Sequence, residues 1–114
     1  ERRLLASVVE GLGLAAACVA SGEEALNLCA RERFTAILMD VHMSGMDGVE
    51  TARTLRARPG WTQEAPIVAI SAGMTAALIA SARAAGIDAC LAKPARPVEI
   101  AEALRTAFIA RTAA

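Results

Sequence analysis

Aromatic side chains are scarce in this 114-residue chain, which has one Trp, two Phe and no Tyr. Hydrophobic residues nevertheless make up 55% of the chain, so the core must be built from Ala, Val, Ile, Leu and Met. A chain of this length can bury enough of that apolar surface to fold without disulfides or metals. We therefore predict a single domain over residues 1–114.

Neither sign of charge is in excess, because 12 Lys and Arg residues balance 12 Asp and Glu residues. This balance gives no indication of nucleic-acid or membrane contact by this domain. No apolar run reaches the length of a membrane span, and no signal-peptide pattern begins the chain. The cysteines Cys18, Cys29 and Cys90 lie far apart, without CxxC or Cys/His spacing. That spacing argues against a zinc site and fits a reducing cytoplasm, where we expect the domain to be located.

Helical and extended patterns alternate along the chain. Helices are predicted where apolar residues recur every three or four positions or where a capping box begins a segment, as in Ser21 with Glu24 and Asp47 with Glu50. Short continuous apolar runs predict strands that are buried on both faces. The predicted order is a helix that ends at Gly13, strand 14–20, helix 21–33, strand 34–40, helix 47–58, strand 66–71, helix 75–85, strand 87–92 and helix 97–111.

Strands that alternate with helices predict an α/β fold with a parallel sheet covered on both faces. The pattern begins with a helix and pairs four strands with five helices. We therefore expect a further strand before Glu1, which would complete five strand–helix units.

Three reactive side chains follow predicted strands at their carboxyl ends: Asp40, Ser71 and Lys93. Active groups of open parallel sheets gather at that edge. A carboxylate can act as a nucleophile, a hydroxyl can donate to a phosphoryl oxygen, and an ammonium group can offset developing negative charge. The combination favours phosphoryl transfer.

Three stretches resemble motifs of the receiver domains of two-component response regulators. Residues 37–48 (ILMDVHMSGMDG) resemble the phospho-acceptor strand and loop, residues 67–72 (IVAISA) the switch strand, and residues 92–94 (AKP) the Lys-Pro turn, where the family uses a cis peptide. The resemblance covers the whole chain. The segment MDVHM (residues 39–43) is most similar to the corresponding segment in receivers of hybrid sensor histidine kinases.

The resemblance implies a flavodoxin-like (CheY-like) doubly wound sheet of order 2-1-3-4-5, whose first strand would precede Glu1. It implies that Asp40 accepts a phosphoryl group from a phosphohistidine of a histidine kinase or phosphotransfer protein. Asp40 and the backbone carbonyl of His42 would hold Mg²⁺, Ser71 would turn toward the phosphoryl group, and Lys93 would pair with it. The domain would then be a phospho-acceptor within a signalling chain and not a conventional enzyme.

Three positions depart from the family pattern. The acidic pair that helps to hold Mg²⁺ ends the strand expected before Glu1, so Mg²⁺ binding by residues 1–114 is expected to be weak or absent. Ser44 stands where the loop usually has Pro. Cys90 stands where the family commonly places a switching Tyr or Phe, which puts the usual coupling of hydroxyl to aromatic ring in doubt.

Two other functions stay open. One is a binding module of the same fold that is not phosphorylated, which the missing acidic pair and Cys90 both favour. The other is a metabolic enzyme on a similar fold, against which stand the absence of GxGxxG, of a P-loop and of an Asp-x-Asp pair. Asp47 is interpreted as a helix cap and the ring of His42 as a loop side chain.

The helix predicted over 75–85 (TAALIASARAA) carries Arg83 as its only charge. A surface helix normally has a polar side, so this one is expected to expose an apolar strip. Such a strip indicates a contact surface for a partner or for a second copy of the domain. The alternative is an Ala-rich helix of high intrinsic propensity that has no partner.

Overall fold

The structure, a computed structural model, describes residues 22–34, 36–40 and 48–112. Within these ranges helices and strands alternate, as the sequence predicts. The elements are α1 (Gly22–Arg31), β1 (Ile37–Asp40), α2 (Gly48–Ala57), a 3-10 turn (Trp61–Gln63), β2 (Ile67–Ser71), α3 (Ala76–Ala84), β3 (Ala89–Ala92) and α4 (Pro97–Thr112). The helix predicted before Gly13 and the strand predicted over 14–20 lie outside the described residues, as do Ser21 and Asp47.

The three described strands form one parallel sheet in the order β1-β2-β3. Ile37 pairs with Ile67, and Val68 pairs with Ala89, so the strands start close to one edge and end close to the other. This is the arrangement that the last three strands have in the predicted order 2-1-3-4-5. The doubly wound α/β prediction is confirmed for the part of the chain that the structure describes.

The sheet is buried on both faces, which explains why its strands are continuously apolar. Side chains alternate between faces along a strand. Ile37 and Met39 of β1 pack in one cluster with residues of α1 and α2. Leu38, between them, packs in a second cluster with residues of α4, including Ile100. The helices therefore cover the sheet from both sides.

Helix α3 begins and ends with identifiable caps. The Thr75 side chain accepts a hydrogen bond from Leu78 N (3.1 Å) at the N-terminus. At the C-terminus, Gly86 N donates to Arg83 O and Ile87 N donates to Ala82 O (both 3.0 Å). These two bonds form a Schellman motif, in which a residue of positive φ follows the helix. Gly86, at φ +97°, fills that position.

The three described strands start later than predicted, at Ile37, Ile67 and Ala89. Phe34, predicted to begin the first of them, packs instead against Trp61 with ring centroids 6.1 Å apart. Trp61 Nε1 also donates to Cys29 O (3.1 Å), so the indole covers the C-terminal turn of α1. Phe34 therefore packs against the core just before β1 begins and is not part of the strand.

Candidate functional site

Asp40 and Lys93 form an ion pair at the carboxyl edge of the sheet. Asp40 ends β1 and Lys93 directly follows β3, and Lys93 Nζ lies 2.5 Å from Asp40 Oδ2. The Lys93 side chain is 25% exposed and that of Asp40 is 30% exposed. A carboxylate at the end of an apolar strand is costly unless it is paired, and Lys93 provides that pairing while leaving the group accessible from solvent.

Ser71 ends β2, the strand between β1 and β3, and is fully buried. Its Oγ accepts a hydrogen bond from Gly73 N (3.1 Å), and its backbone oxygen accepts one from Lys93 N (2.9 Å). The second bond continues the β2–β3 pairing one residue beyond the strand. The structure thus brings the three predicted side chains, those of Asp40, Ser71 and Lys93, to the ends of three adjacent strands.

Lys93 is the single lysine of the chain, which otherwise carries eleven arginines as its basic residues. A lysine ammonium is a compact charge with rotatable donors, whereas a guanidinium is a planar fork. The Lys93-Pro94 peptide bond is cis, in agreement with the resemblance to the Lys-Pro turn. The turn places a compact cation beside the carboxylate of Asp40.

The described residues supply one of the expected Mg²⁺ ligands. Carboxylate oxygen is the ligand type that Mg²⁺ prefers, and Asp40 provides it. Among residues 22–34, 36–40 and 48–112, no group of three or more His, Cys, Asp or Glu side chains is arranged to hold a metal ion. His42 and Ser44 lie outside the described residues. The donor chemistry of Asp40 fits Mg²⁺, with further ligands required from elsewhere.

Cys90 is half-buried on β3 and lines a groove of about 560 Å³ between α3 and α4. Burial raises the pKa of its thiol, and the positive charge of Arg83 partly opposes that rise. Cys29 is more deeply buried, and burial raises its thiol pKa as well. Cys29 thus packs as a small apolar residue of the core, whereas Cys90 has partial access to solvent.

The opposite edge of the sheet holds a charged cluster that the sequence analysis did not identify. The Asp88 side chain is only 6% exposed and lies between Arg56 Nη2 (3.1 Å) and Arg111 Nε (2.8 Å). Both arginines also donate to Gly86 O, and Asp88 Oδ2 accepts from Ile67 N (2.9 Å). An acid directly before the apolar run of β3 was the only sequence signal for this cluster.

In the described part of the chain, no helix is both long and apolar enough to cross a membrane.

Comparisons with known proteins agree with this geometry. A family model described as "Response regulator receiver domain" matches residues 1–105. The sensory/regulatory protein RpfC of Xanthomonas campestris pv. campestris (strain 8004) is 32% identical over 104 residues, which cover 90% of this chain and 14% of RpfC. The sensor histidine kinase AruS of Pseudomonas aeruginosa PAO1 is 37% identical over 81 residues, which cover 70% of this chain and 8% of AruS. The chain thus spans a small part of both relatives.

A solved structure is similar along nearly the whole chain. It is the receiver domain of the sensor histidine kinase PA1611 from Pseudomonas aeruginosa PAO1, in which a magnesium ion is coordinated in the active site cleft. The TM-score is 0.80 at 29% identity, and the match covers 94% of this chain and 88% of that one. Family model, relatives and fold agree: the chain belongs to the response regulator receiver domain family of two-component systems, and its relatives include receivers of sensor histidine kinases.

Proposed function

We propose that this receiver domain takes part in a phosphorelay in which Asp40 accepts the phosphoryl group of a phosphohistidine. The donor would be a histidine kinase or a phosphotransfer protein. The observation that carries the proposal is the approach of Lys93 Nζ to Asp40 Oδ2 at the strand ends, with Ser71 on the strand between them. We further propose that residues 1–114 form one domain, that it acts in the cytoplasm, and that it contacts neither nucleic acid nor membrane.

The proposed reaction exchanges one phosphorus bond for another. A carboxylate oxygen of Asp40 attacks phosphorus, and the bond from phosphorus to the donor imidazole nitrogen breaks. The donor ring takes up one proton from water, so that it leaves as neutral imidazole. The product is an acyl phosphate on Asp40. Lys93 lies where its ammonium can pair with the added negative charge, and such fixed charge lowers the barrier of phosphoryl transfer.

Asp40 and the backbone carbonyl of His42 would hold Mg²⁺. When bound, the ion supplies charge screening between the anionic donor and the carboxylate. Of these two ligands, Asp40 lies among the described residues.

Ser71 would couple the added charge to the surface of the domain. Its Oγ accepts from Gly73 N in this structure, so the hydroxyl lies at the start of the segment that leads into α3. A phosphoryl group at Asp40 offers the Ser71 hydroxyl a stronger acceptor. Rotation of the hydroxyl toward that acceptor would free Gly73 and alter α3, β3 and α4, which together form the proposed output surface.

A second candidate function is a binding module of the same fold that is not phosphorylated. The position of Cys90, where an aromatic switch residue is usual, favours it, because phosphorylation would then lack part of its usual route to the output surface. Such a module would bind partners through the same α3–β3–α4 surface, or pair with a second copy through α3, without chemistry at Asp40.

The deciding experiment is incubation of the chain with a small phosphodonor and Mg²⁺, followed by mass spectrometric mapping of the acyl phosphate. We expect label on Asp40 in the wild type and none in Asp40→Asn. Asp88→Glu is unsuitable as a control because it disturbs a buried cluster, so Glu50→Gln, an exposed residue of α2, is the matched carboxylate control. Full labelling of Asp40→Asn would refute the assignment, and absence of label on wild-type Asp40 even at saturating Mg²⁺ would favour the binding module.

A further inference from the structure

A cavity of about 540 Å³ opens at the edge of the sheet opposite Asp40. Phe34, which precedes β1, and Ala65, which precedes β2, line it together with Trp61 of the 3-10 turn. Arg111, near the end of α4, and Arg33 add positive charge, Glu64 adds negative charge, and Gly60 completes the lining. Because parallel strands begin at a common edge, this cavity is separate from the phospho-acceptor site.

Arg111 is held in place before any ligand arrives. Its Nε donates to Asp88 Oδ1 (2.8 Å) and its Nη2 donates to Gly86 O (3.1 Å). The described residues provide no acceptor for its Nη1, and its side chain is 28% exposed. A guanidinium fixed in this way binds an anion at a lower entropic cost than a freely moving one.

The cluster behind the cavity carries an uncompensated positive charge. Two guanidinium groups, those of Arg56 and Arg111, share the single buried carboxylate of Asp88. Burial lowers the pKa of Arg56, and the charge of Arg111 lowers it further, which means that the two cations repel each other. Arg33, which also lines the cavity, forms no ion pair with any described residue. With the carboxylate of Glu64 counted, the lining and the cluster together carry one net positive charge, which a single anionic group would balance.

The remaining wall is aromatic. Phe34 and Trp61 pack at a tilted angle of 59°, and Trp61 stays half-exposed although its Nε1 is bonded. Aromatic walls hold flat rings by offset or edge-to-face contact. The cavity volume lies within the range of about 300–1,000 Å³ that is usual for small-molecule sites.

We propose that this cavity binds a small molecule that carries a carboxylate or phosphate group on a flat apolar ring. The anionic group lies against Arg111 and Arg33, and the ring lies against Trp61 and Phe34. The site requires no chemistry at Asp40, so it is independent of the phosphorelay proposal.

The test uses the fluorescence of Trp61, the only tryptophan of the chain. The chain is titrated separately with benzoate, phenyl phosphate and inorganic phosphate. We expect saturable binding of at least one aryl anion with a Kd of about 1 mM or tighter, and weaker binding of inorganic phosphate, which lacks the ring. Benzoate and phenyl phosphate distinguish the carboxylate from the phosphate preference.

Arg33→Gln should weaken the binding of the aryl anion about tenfold, because it removes one charge-assisted contact. Arg33 is exposed, so this variant should fold normally, which a thermal melt verifies. Arg53→Gln, an exposed arginine of α2, is the matched control and should bind like the wild type. No saturable response to any probe, or equal Kd values for Arg33→Gln and wild type, would overturn the proposal.

Discussion

The Lys93–Asp40 ion pair spans an intervening strand, because β2 lies between the strands that carry the two residues. Adjacent strands lie about 4.8 Å apart, so the long side chain of Lys93 reaches over the end of β2, where Ser71 is located. Carboxylate, hydroxyl and ammonium are thereby arranged across three strands. The interaction joins residues 53 positions apart in the chain.

Lys93→Met is expected to slow phosphorylation of Asp40 by about a hundredfold, because it removes the fixed positive charge at the site. The free energy of unfolding should fall by no more than about 1 kcal/mol, since a partly exposed ion pair contributes little to stability. Labelling rates and urea melts measure the two effects. Arg105→Met, which removes an exposed cation of α4, is the control, and equal rates for Lys93→Met and wild type would contradict the role of Lys93.

The single lysine also provides a spectroscopic reporter. Reductive methylation with ¹³C preserves the charge of Lys93 and labels it alone, apart from the terminal amine. We expect the NMR signal of dimethyl-Lys93 to move on phosphorylation and to be displaced already in Asp40→Asn, because the paired carboxylate charge is lost. A signal that responds to neither change would show that the ion pair is absent in solution.

Ser71→Ala should uncouple phosphorylation from the surface of the domain. The variant leaves Gly73 N without its side-chain acceptor, which costs about 1 kcal/mol of stability, and labelling of Asp40 should continue. Amide chemical shifts of residues 72–75 should respond to phosphorylation in the wild type but not in this variant. Ser81→Ala, which alters an exposed serine of α3, should behave like the wild type. If Ser71→Ala shows the same chemical-shift response as the wild type, Ser71 does not couple phosphorylation to the output surface.

Gly86→Ala should destabilise the fold more than Gly60→Ala does. Both glycines have positive φ, and a side chain at such positions costs about 1–3 kcal/mol. A Cβ at Gly60 would meet no atom within 4 Å, whereas one at Gly86 would lie 2.8 Å from Arg56 Cγ. Because hydrogen bonds fix Arg56, the clash should add about 1–3 kcal/mol. If urea melts give the same loss of unfolding free energy for both variants, the Arg56 side chain moves aside without cost.

Asp88→Asn should lower the free energy of unfolding by about 3–5 kcal/mol, because it leaves two largely buried guanidinium groups without a carboxylate. The phosphorylation rate of the folded fraction should not change, since the cluster lies at the edge opposite Asp40. Glu102→Gln, on the exposed side of α4, is the matched control. A loss below about 1 kcal/mol would mean that the cluster contributes little to stability.

Ala77→Glu and Ala84→Glu should weaken self-association or binding to a kinase partner without affecting the fold. Both positions are exposed on α3, and Ala82 is its only buried residue. The sequence prediction that this helix exposes an apolar strip is therefore confirmed, while its role as a contact surface stays a prediction. Ala57→Glu, exposed at the end of α2, is the control for sedimentation and pull-down measurements. If neither α3 variant alters any association, the helix is ordinary scaffold.

Local sequence determined the succession of helices and strands. Period-two and period-3.6 patterns depend only on neighbouring residues, so the apolar runs ending in Asp40 and Ser71 could be identified without a structure. Since parallel strands end at one edge, the convergence of Asp40, Ser71 and Lys93 followed from their positions after those runs. The Gly86 cap could be predicted for the same reason, because helix ends depend on a few adjacent residues.

The charged cluster at the edge of the sheet opposite Asp40 exists only because of the tertiary structure. Arg56 and Arg111 lie 32 and 23 positions from Asp88, and no local pattern distinguishes them from the other arginines of the chain. Only the packing of α2 and α4 against opposite faces of the sheet brings their guanidinium groups to one buried carboxylate. The pairing of Phe34 with Trp61 likewise depends on where two loops meet. Local patterns thus fix elements and strand ends, whereas side-chain networks between distant loops and helix ends exist only after the chain has packed.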